Sequence, residues 1–330
     1  MKRIYTAFLA LASTALYLAA SAQNINPSLL SRQWKASWIT VPNQPVQGYG
    51  VYYFSKSVDL PTKPAKFVVH VSADNRYKLY VNHTLVSLGP ARGDTYYWNY
   101  ETVDIAPYLT GGKNNIAAEV WNDGEYRPEA QISQQTAFIL QGDTGIEEVL
   151  NTDNSWKCIR NDAYKPVLGV GYSTYYVAGP GELLDMHKTI NNWQDNDKGW
   201  LNAQKIDRGN PKGFTNAFGW MLVPSSLPQM ELKQQRLAAV RKASGVTVPT
   251  TFLSGNAPLT IPANTKASLL LDQSFLTNAY LNLNFSGGDN AGISLTYCES
   301  PMKNVGNTYQ IVKPNRNDVD GYKFVGRKIV

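Results

Sequence analysis

The sequence predicts an all-β protein: a jelly-roll or galactose-binding-like sandwich followed by a second, incomplete β-sandwich. Three observations carry this. Short apolar–polar alternations recur along most of the chain between Gly, Pro and Asn turns, and long helical periodicity is scarce. Aromatic residues are abundant, with 20 Tyr and 8 Trp, which suits half-buried pleated surfaces. The clearest alternation is Asp74-Asn75-Arg76-Tyr77-Lys78-Leu79-Tyr80-Val81-Asn82, where Tyr77, Leu79 and Val81 fall on one face and Lys78, Tyr80 and Asn82 on the other.

Taken in order, residues 1–22 read as a signal peptide. Lys2 and Arg3 precede an apolar run over residues 4–20, and Ala20-Ser21-Ala22 supplies a small-x-small cleavage site. The mature chain is therefore expected from Gln23, exported to the periplasm or the cell exterior, with no membrane span. Removing the signal takes two cations from a formal charge of +6. The remaining charges are scattered, and the densest basic stretch, residues 233–242, is interrupted by Leu237-Ala238-Ala239-Val240. No clustered basic face is expected, which speaks against a nucleic-acid partner.

Residues 23–208 form the first expected module. Its strands fall at residues 51–54, 58–60, 66–71, 77–81, 101–105, 115–121, 137–141 and 155–159, while residues 191–203 are polar and irregular. Residues 209–249 read as a connector. Pro211, Pro224 and Pro228 oppose sheet entry there, and residues 230–243 alone lean towards helix. Residues 250–330 form the second module, with strands at 267–271, 279–285, 293–297 and 322–330, and it reads as truncated inside a domain.

Two clusters carry candidate chemistry. After the opening alternation comes Gly89-Pro90-Ala91-Arg92-Gly93-Asp94, then Tyr96, Tyr97 and Trp98. Aromatic rings suit the C–H faces of sugars and charged neighbours suit their hydroxyls, so Arg92, Asp94 and Trp98 are candidates for ligand or interface contact. Beyond the strand ending at Trp121 lie Asp123, Glu125 and Arg127. Glycoside hydrolysis needs two carboxyl groups flanking a bond. Carboxylates beside an arginine at a strand end are more often solvated or paired, so these three are also assigned to ligand or interface contact, and no residue is assigned as catalytic.

Other chemistries find little support. His70, His83 and His187 stand far apart, without HExxH or paired cysteines, and the oxygen-rich loop 191–197 lacks a calcium-ligand spacing. No metal and no cofactor are predicted. The glycine-rich run 169–181 carries Thr174 where a dinucleotide loop needs its third glycine. Cys158 and Cys298 fall in separate modules and read as unbridged.

In order and together, several segments resemble the N-terminal half of bacterial α-L-rhamnosidases. They are Trp34-Lys35-Ala36-Ser37-Trp38-Ile39, the run from Ala73 to Asn82, Gly89-Pro90-Ala91-Arg92-Gly93-Asp94, residues 100–109, residues 113–120, and Leu222-Val223-Pro224 with Pro228. The resemblance implies a non-catalytic β-region of a secreted glycoside hydrolase that removes terminal L-rhamnose with inversion. Its general acid and base belong to an (α/α)6 helical barrel that follows the β-modules, so no catalytic residue transfers to this chain. The implied partners are a rhamnose-containing glycoside or polysaccharide and that C-terminal barrel. The alternative is a stand-alone carbohydrate-binding or surface-adhesion sandwich.

Overall fold

The computed structural model describes residues 25–168, 179–214, 219–298, 302–305, 308–311 and 328–329. The expected signal peptide, residues 169–178 of the glycine-rich run and most of the expected strand at 322–330 lie outside the described residues. The chain divides into two units. The first takes residues up to 122, 131–160 and 191–229; the second takes 123–130, 161–190 and those from 230 onward.

The first unit is a two-sheet sandwich, as expected, and among the described residues its helical content is confined to short 3-10 turns. Its main strands are β1 (Ser37–Thr40), β2 (Gly50–Leu60), β3 (Val68–Ala73), β4 (Arg76–Val81), β5 (Thr84–Gly89), β6 (Trp98–Asp104), β7 (Gly112–Asn122), β8 (Phe138–Gly142) and β9 (Lys157–Arg160). One sheet runs Gln204–Arg208, β1, β8, β3, β6, Met221–Pro224, Asn210–Pro211. The other runs Leu201–Asn202, β9, β2, β7, β4, β5. Along β4 the burial alternates residue by residue, and Tyr77 and Leu79 sit opposite Val120 and Ala118 of β7. A one-residue slip would turn that apolar set to the outer face, so burial fixes the register.

Two apolar cores flank the seven-stranded sheet. Between the sheets, Tyr52, Phe54, Tyr77, Leu79, Ile116 and Val120 pack against Ile39, Val69, Val71, Phe138 and Leu140. Each such side chain contributes about 1.5–3 kcal/mol of transfer free energy. On the far face a second core gathers Trp34, Trp38, Trp98, Tyr100, Ile139, Trp220 and Leu222. The Trp34-x-Ala36-x-Trp38 spacing serves this second core, because alternate residues point to the same face. Trp38 stacks on Trp220 with ring centroids 4.3 Å apart.

Strand β3 is consequently buried on both faces. His70 points into the aromatic side, edge-on to Tyr100 at 5.5 Å. It keeps its polar atoms satisfied, with Nδ1 3.0 Å from Thr102 Oγ1 and Nε2 3.0 Å from Asp143 Oδ1. Burial lowers its pKa below the usual histidine value, and Asp143 opposes that shift. The unfolded chain therefore takes up this proton more readily than the folded one. The His70 contribution is intact above about pH 6.5 and is lost as pH falls below it. Asp74 and Glu101 act in the opposite sense, since burial raises both carboxyls and their deprotonation with rising pH costs folded-state stability. In His70→Gln the loss of unfolding midpoint between about pH 7 and about pH 5 should shrink. An unchanged profile in a thermal melt series would exclude His70 as its source.

Three local expectations are corrected. The connector enters the sheet: Met221–Pro224 runs parallel to β6, with Leu222 opposite Trp98 and Pro224 opposite Tyr100. Pro224 is tolerated because it closes the strand, past the end of pairing with Asn210–Pro211. The helical lean at 230–243 gives way to a strand, Ala239–Ser244, paired with Ser268–Asp272 and pinned by Arg241 Nη2 2.8 Å from Asp272. The alternation at 279–285 forms no strand; Leu281, Leu283 and Phe285 are 42%, 44% and 53% exposed. A period of two selects a face, but a strand also needs a hydrogen-bonded neighbour.

By itself, the second unit holds that hairpin, a second hairpin of Met302–Val305 with Thr308–Ile311, and a four-stranded sheet. The sheet is ordered Tyr164–Val167, Gly181–Leu184, Lys328–Ile329, Leu295–Thr296.

Candidate functional site

The candidate loop, residues 89–98, leaves β5 and enters β6, and a hydrogen-bond network centred on the buried Glu101 holds it. Glu101 Oε1 accepts the Ala91 backbone N–H at 3.0 Å, and Oε2 accepts Gln229 Nε2 at 2.8 Å. Gln229 Oε1 in turn accepts the Ser87 hydroxyl at 3.1 Å. Arg76 donates to the Pro90 carbonyl, and Asn99 Nδ2 donates to the Arg92 carbonyl at 3.0 Å. The Gly89–Pro90 peptide is cis.

The turn itself is closed by Asp94. Its Oδ1 accepts the N–H groups of Tyr96 and Tyr97 at 2.8 and 2.9 Å, a local carboxylate turn that competes well with regular structure. Gly93 is required by close approach, because a Cβ there would lie 1.9 Å from the Tyr97 carbonyl oxygen. Gly93→Ala must displace backbone and is expected to cost about 1–3 kcal/mol. A melting temperature equal to the parent would refute that packing.

The outcome is a ledge of exposed groups on a fixed backbone. Tyr96 and Tyr97 are 61% and 52% exposed, and Phe214 is 44% exposed. Lys212 lies with Nζ 3.2 Å from the Tyr97 ring centroid, brought there because Met221–Pro224 and Asn210–Pro211 extend the sheet beyond β6. Arg92 and Asp94 are exposed on the same loop. Trp98 is 4% exposed; its Nε1 donates to the Ala73 carbonyl at 3.2 Å and its ring meets Trp220 edge-on. Its ring is thus occupied by packing, and the neighbouring tyrosines present the open surface. Lys212 and Glu101 carried no sequence signal, because their role depends on which strands become neighbours.

The hub beneath this end of the first unit is Asp74, fully buried in the turn between β3 and β4. Its carboxylate accepts Ser133 Oγ, the Gln134 N–H at 2.7 Å, the Gln135 N–H at 3.2 Å, Trp220 Nε1 at 3.0 Å and Asn75 Nδ2 at 2.9 Å. Burial raises its pKa, and these donors oppose the rise.

Asp123, Glu125 and Arg127 lie in the second unit, on one short 3-10 turn. Arg127 Nη1 donates to the Gly124 carbonyl at 2.9 Å, which closes its own turn. Glu125 is exposed and takes the Tyr126 hydroxyl, whose pKa that bond raises. Asp123 packs against Gly179, where a Cβ would lie 2.7 Å from Oδ2.

The polar loop at 191–200 covers part of the six-stranded sheet. Trp193 stacks flat on Tyr53 at 4.0 Å and meets Tyr80 edge-on at 5.5 Å. Asp195 Oδ1 pairs with His83 Nε2 at 3.0 Å and accepts Asn115 Nδ2 at 3.1 Å. Among the described residues no group of three or more His, Cys, Asp or Glu is placed to hold a metal ion. Cys158 is a buried thiol, pushed up to about 12 by burial.

No protein-family model and no curated protein matches the chain. Solved structures do. The GH78 family rhamnosidase of Bacillus sp. GL1 is 24% identical, with a TM-score of 0.56, over 67% of this chain and 23% of that one. The α-L-rhamnosidase from Dictyoglomus thermophilum is 23% identical over 53% of this chain and 21% of its own, with a TM-score of 0.40. The α-L-rhamnosidase from Aspergillus terreus is 20% identical over 62% and 24%, with a TM-score of 0.42. The chain thus spans under a quarter of the length of these structures, and the first of them shares its fold.

Proposed function

We propose that this chain is the non-catalytic β-region of an exported α-L-rhamnosidase, and that its partners are a rhamnose-containing glycoside or polysaccharide and a C-terminal catalytic barrel. The observation that carries the reading is the shared fold with the Bacillus sp. GL1 rhamnosidase over 67% of this chain but 23% of that enzyme. The ordered motifs from Trp34 to Pro228 support it. In this reading the ledge of Arg92, Tyr96, Tyr97 and Lys212 contacts saccharide, while Asp123, Glu125 and Arg127 serve a ligand or interface. Residues 23–330, purified and folded, should release no rhamnose from an aryl rhamnoside; release at an enzymatic rate would sink the assignment of catalysis to a barrel.

The second reading, a stand-alone carbohydrate-binding or adhesion protein, is favoured by the exposure of Tyr96 and Tyr97 on a backbone already fixed within one unit. Calorimetric titration with a rhamnoside tests this second reading. Binding in the millimolar range or tighter, weakened several-fold by Tyr96→Ala, supports saccharide contact at the ledge. No heat from folded protein rejects the stand-alone reading.

A further inference from the structure

We infer that the ledge is a site for an anionic saccharide, one whose sugar ring packs on Tyr96 and whose carboxylate or sulfate is taken by Arg92 and Lys212. The inference rests on the saccharide reading of the ledge and adds the charge of its ligand.

Charge accounting points this way. Asp94 is the one acidic residue between Gly89 and Trp98, and its Oδ1 is committed to two backbone N–H groups. The exposed Arg92 guanidinium has no carboxylate partner among the described residues, and neither has the exposed Lys212 ammonium. Lys212 sits instead over the Tyr97 ring, where the quadrupole holds it without neutralising it. Lys212 lies over the Tyr97 ring, and Arg92 belongs to the same loop, one residue before Gly93, whose backbone abuts the Tyr97 carbonyl.

The rings divide the work. One face of Tyr97 is covered by the ammonium, so it is unavailable for sugar stacking. Tyr96, 61% exposed, has no such cover among the described residues and offers its face to C–H groups. A guanidinium matches a two-oxygen anion through paired N–H donors, and an ammonium borne by the neighbouring strand extension adds a point charge. An uncharged saccharide would offer both cations hydroxyl acceptors but no counter-charge.

The test is calorimetric titration of the full chain with four probes: a neutral oligosaccharide, a uronate-bearing one of equal length, a sulfated one, and a single-stranded oligonucleotide. Either acidic saccharide should bind about tenfold more tightly than the neutral one, and their order identifies carboxylate or sulfate as the preferred anion. Arg92→Ala with Lys212→Met should remove that preference, bringing the acidic saccharides to the affinity the same variant shows for the neutral one. Tyr96→Ala should weaken all saccharides together. All three replaced positions are exposed, and matched circular dichroism spectra establish the fold of each variant. Equal affinity for neutral and acidic saccharides overturns the inference and leaves the saccharide reading standing. No binding of any saccharide overturns both. Oligonucleotide binding as tight as the acidic saccharides, or full competition by inorganic sulfate alone, also overturns it, because neither needs a sugar.

Discussion

Asp74→Ala should lose about 3–5 kcal/mol of folding free energy, because it strands several buried donors around a site built for a carboxylate. The oxygens of Asp74 accept from Ser133, Gln134, Gln135, Trp220 and Asn75. They therefore tie the β3–β4 turn to the 133–136 segment and to the returning chain at Trp220. Asp74→Asn has nearly the same shape but directs an amide N–H₂ at groups that are themselves donors, so it should recover only a part of the loss. Urea unfolding monitored by far-ultraviolet circular dichroism gives both values. A loss below about 1 kcal/mol for the alanine variant would mean that the donors find water instead, and that the hub is not the organiser described here.

Trp34→Ala should cost about 3–5 kcal/mol, the range for removing a fully buried large aromatic side chain. Trp34 is wholly buried, meets Tyr100 edge-on at 5.0 Å, and donates Nε1 to the Leu29 carbonyl at 2.9 Å. Gly209 presses its backbone against the same ring: a Cβ there would lie 2.9 Å from Trp34 Cε3. Such a tightly contacted site has little room to collapse around a cavity, which places the expected cost high in its range. Trp34→Phe keeps much of the packing but loses the donor to Leu29, so it should fall between the parent and alanine. If alanine and phenylalanine cost the same, the hydrogen bond outweighs the ring, contrary to the packing argument.

Both predictions concern residues that the sequence marked without explaining. The Trp34-x-Ala36-x-Trp38 spacing was visible as a motif, and its alternation implied a common face. That this face belongs to a second core, outside the sandwich interior, depended on Trp220 and Leu222 returning from a region that reads as connector. Asp74 stood at the head of the plainest strand in the chain. Nothing local indicated that its carboxylate would be buried beneath donors from two distant segments.

The ledge divides the same way. Arg92, Asp94 and the tyrosines beside them were legible as a charged aromatic turn. Trp98, one residue further, looked equivalent in sequence, yet the pleat sends it inward while Tyr96 and Tyr97 stay in the turn. Lys212 joined only because Met221–Pro224 adds to β6 and carries its neighbouring strand along.

The sequence by itself determined the all-β class, the inner face of β4 and the charged, aromatic character of the 89–98 loop. Those properties follow from period-two patterning and short-range hydrogen bonding, which act between residues close in the chain. Tertiary structure alone decided which proline-flanked segment enters a sheet, which carboxylate becomes a buried hub and which cation stands over Tyr97. Each of these depends on strand pairing between distant residues, and a pattern that specifies an apolar face does not specify the neighbour that will cover it.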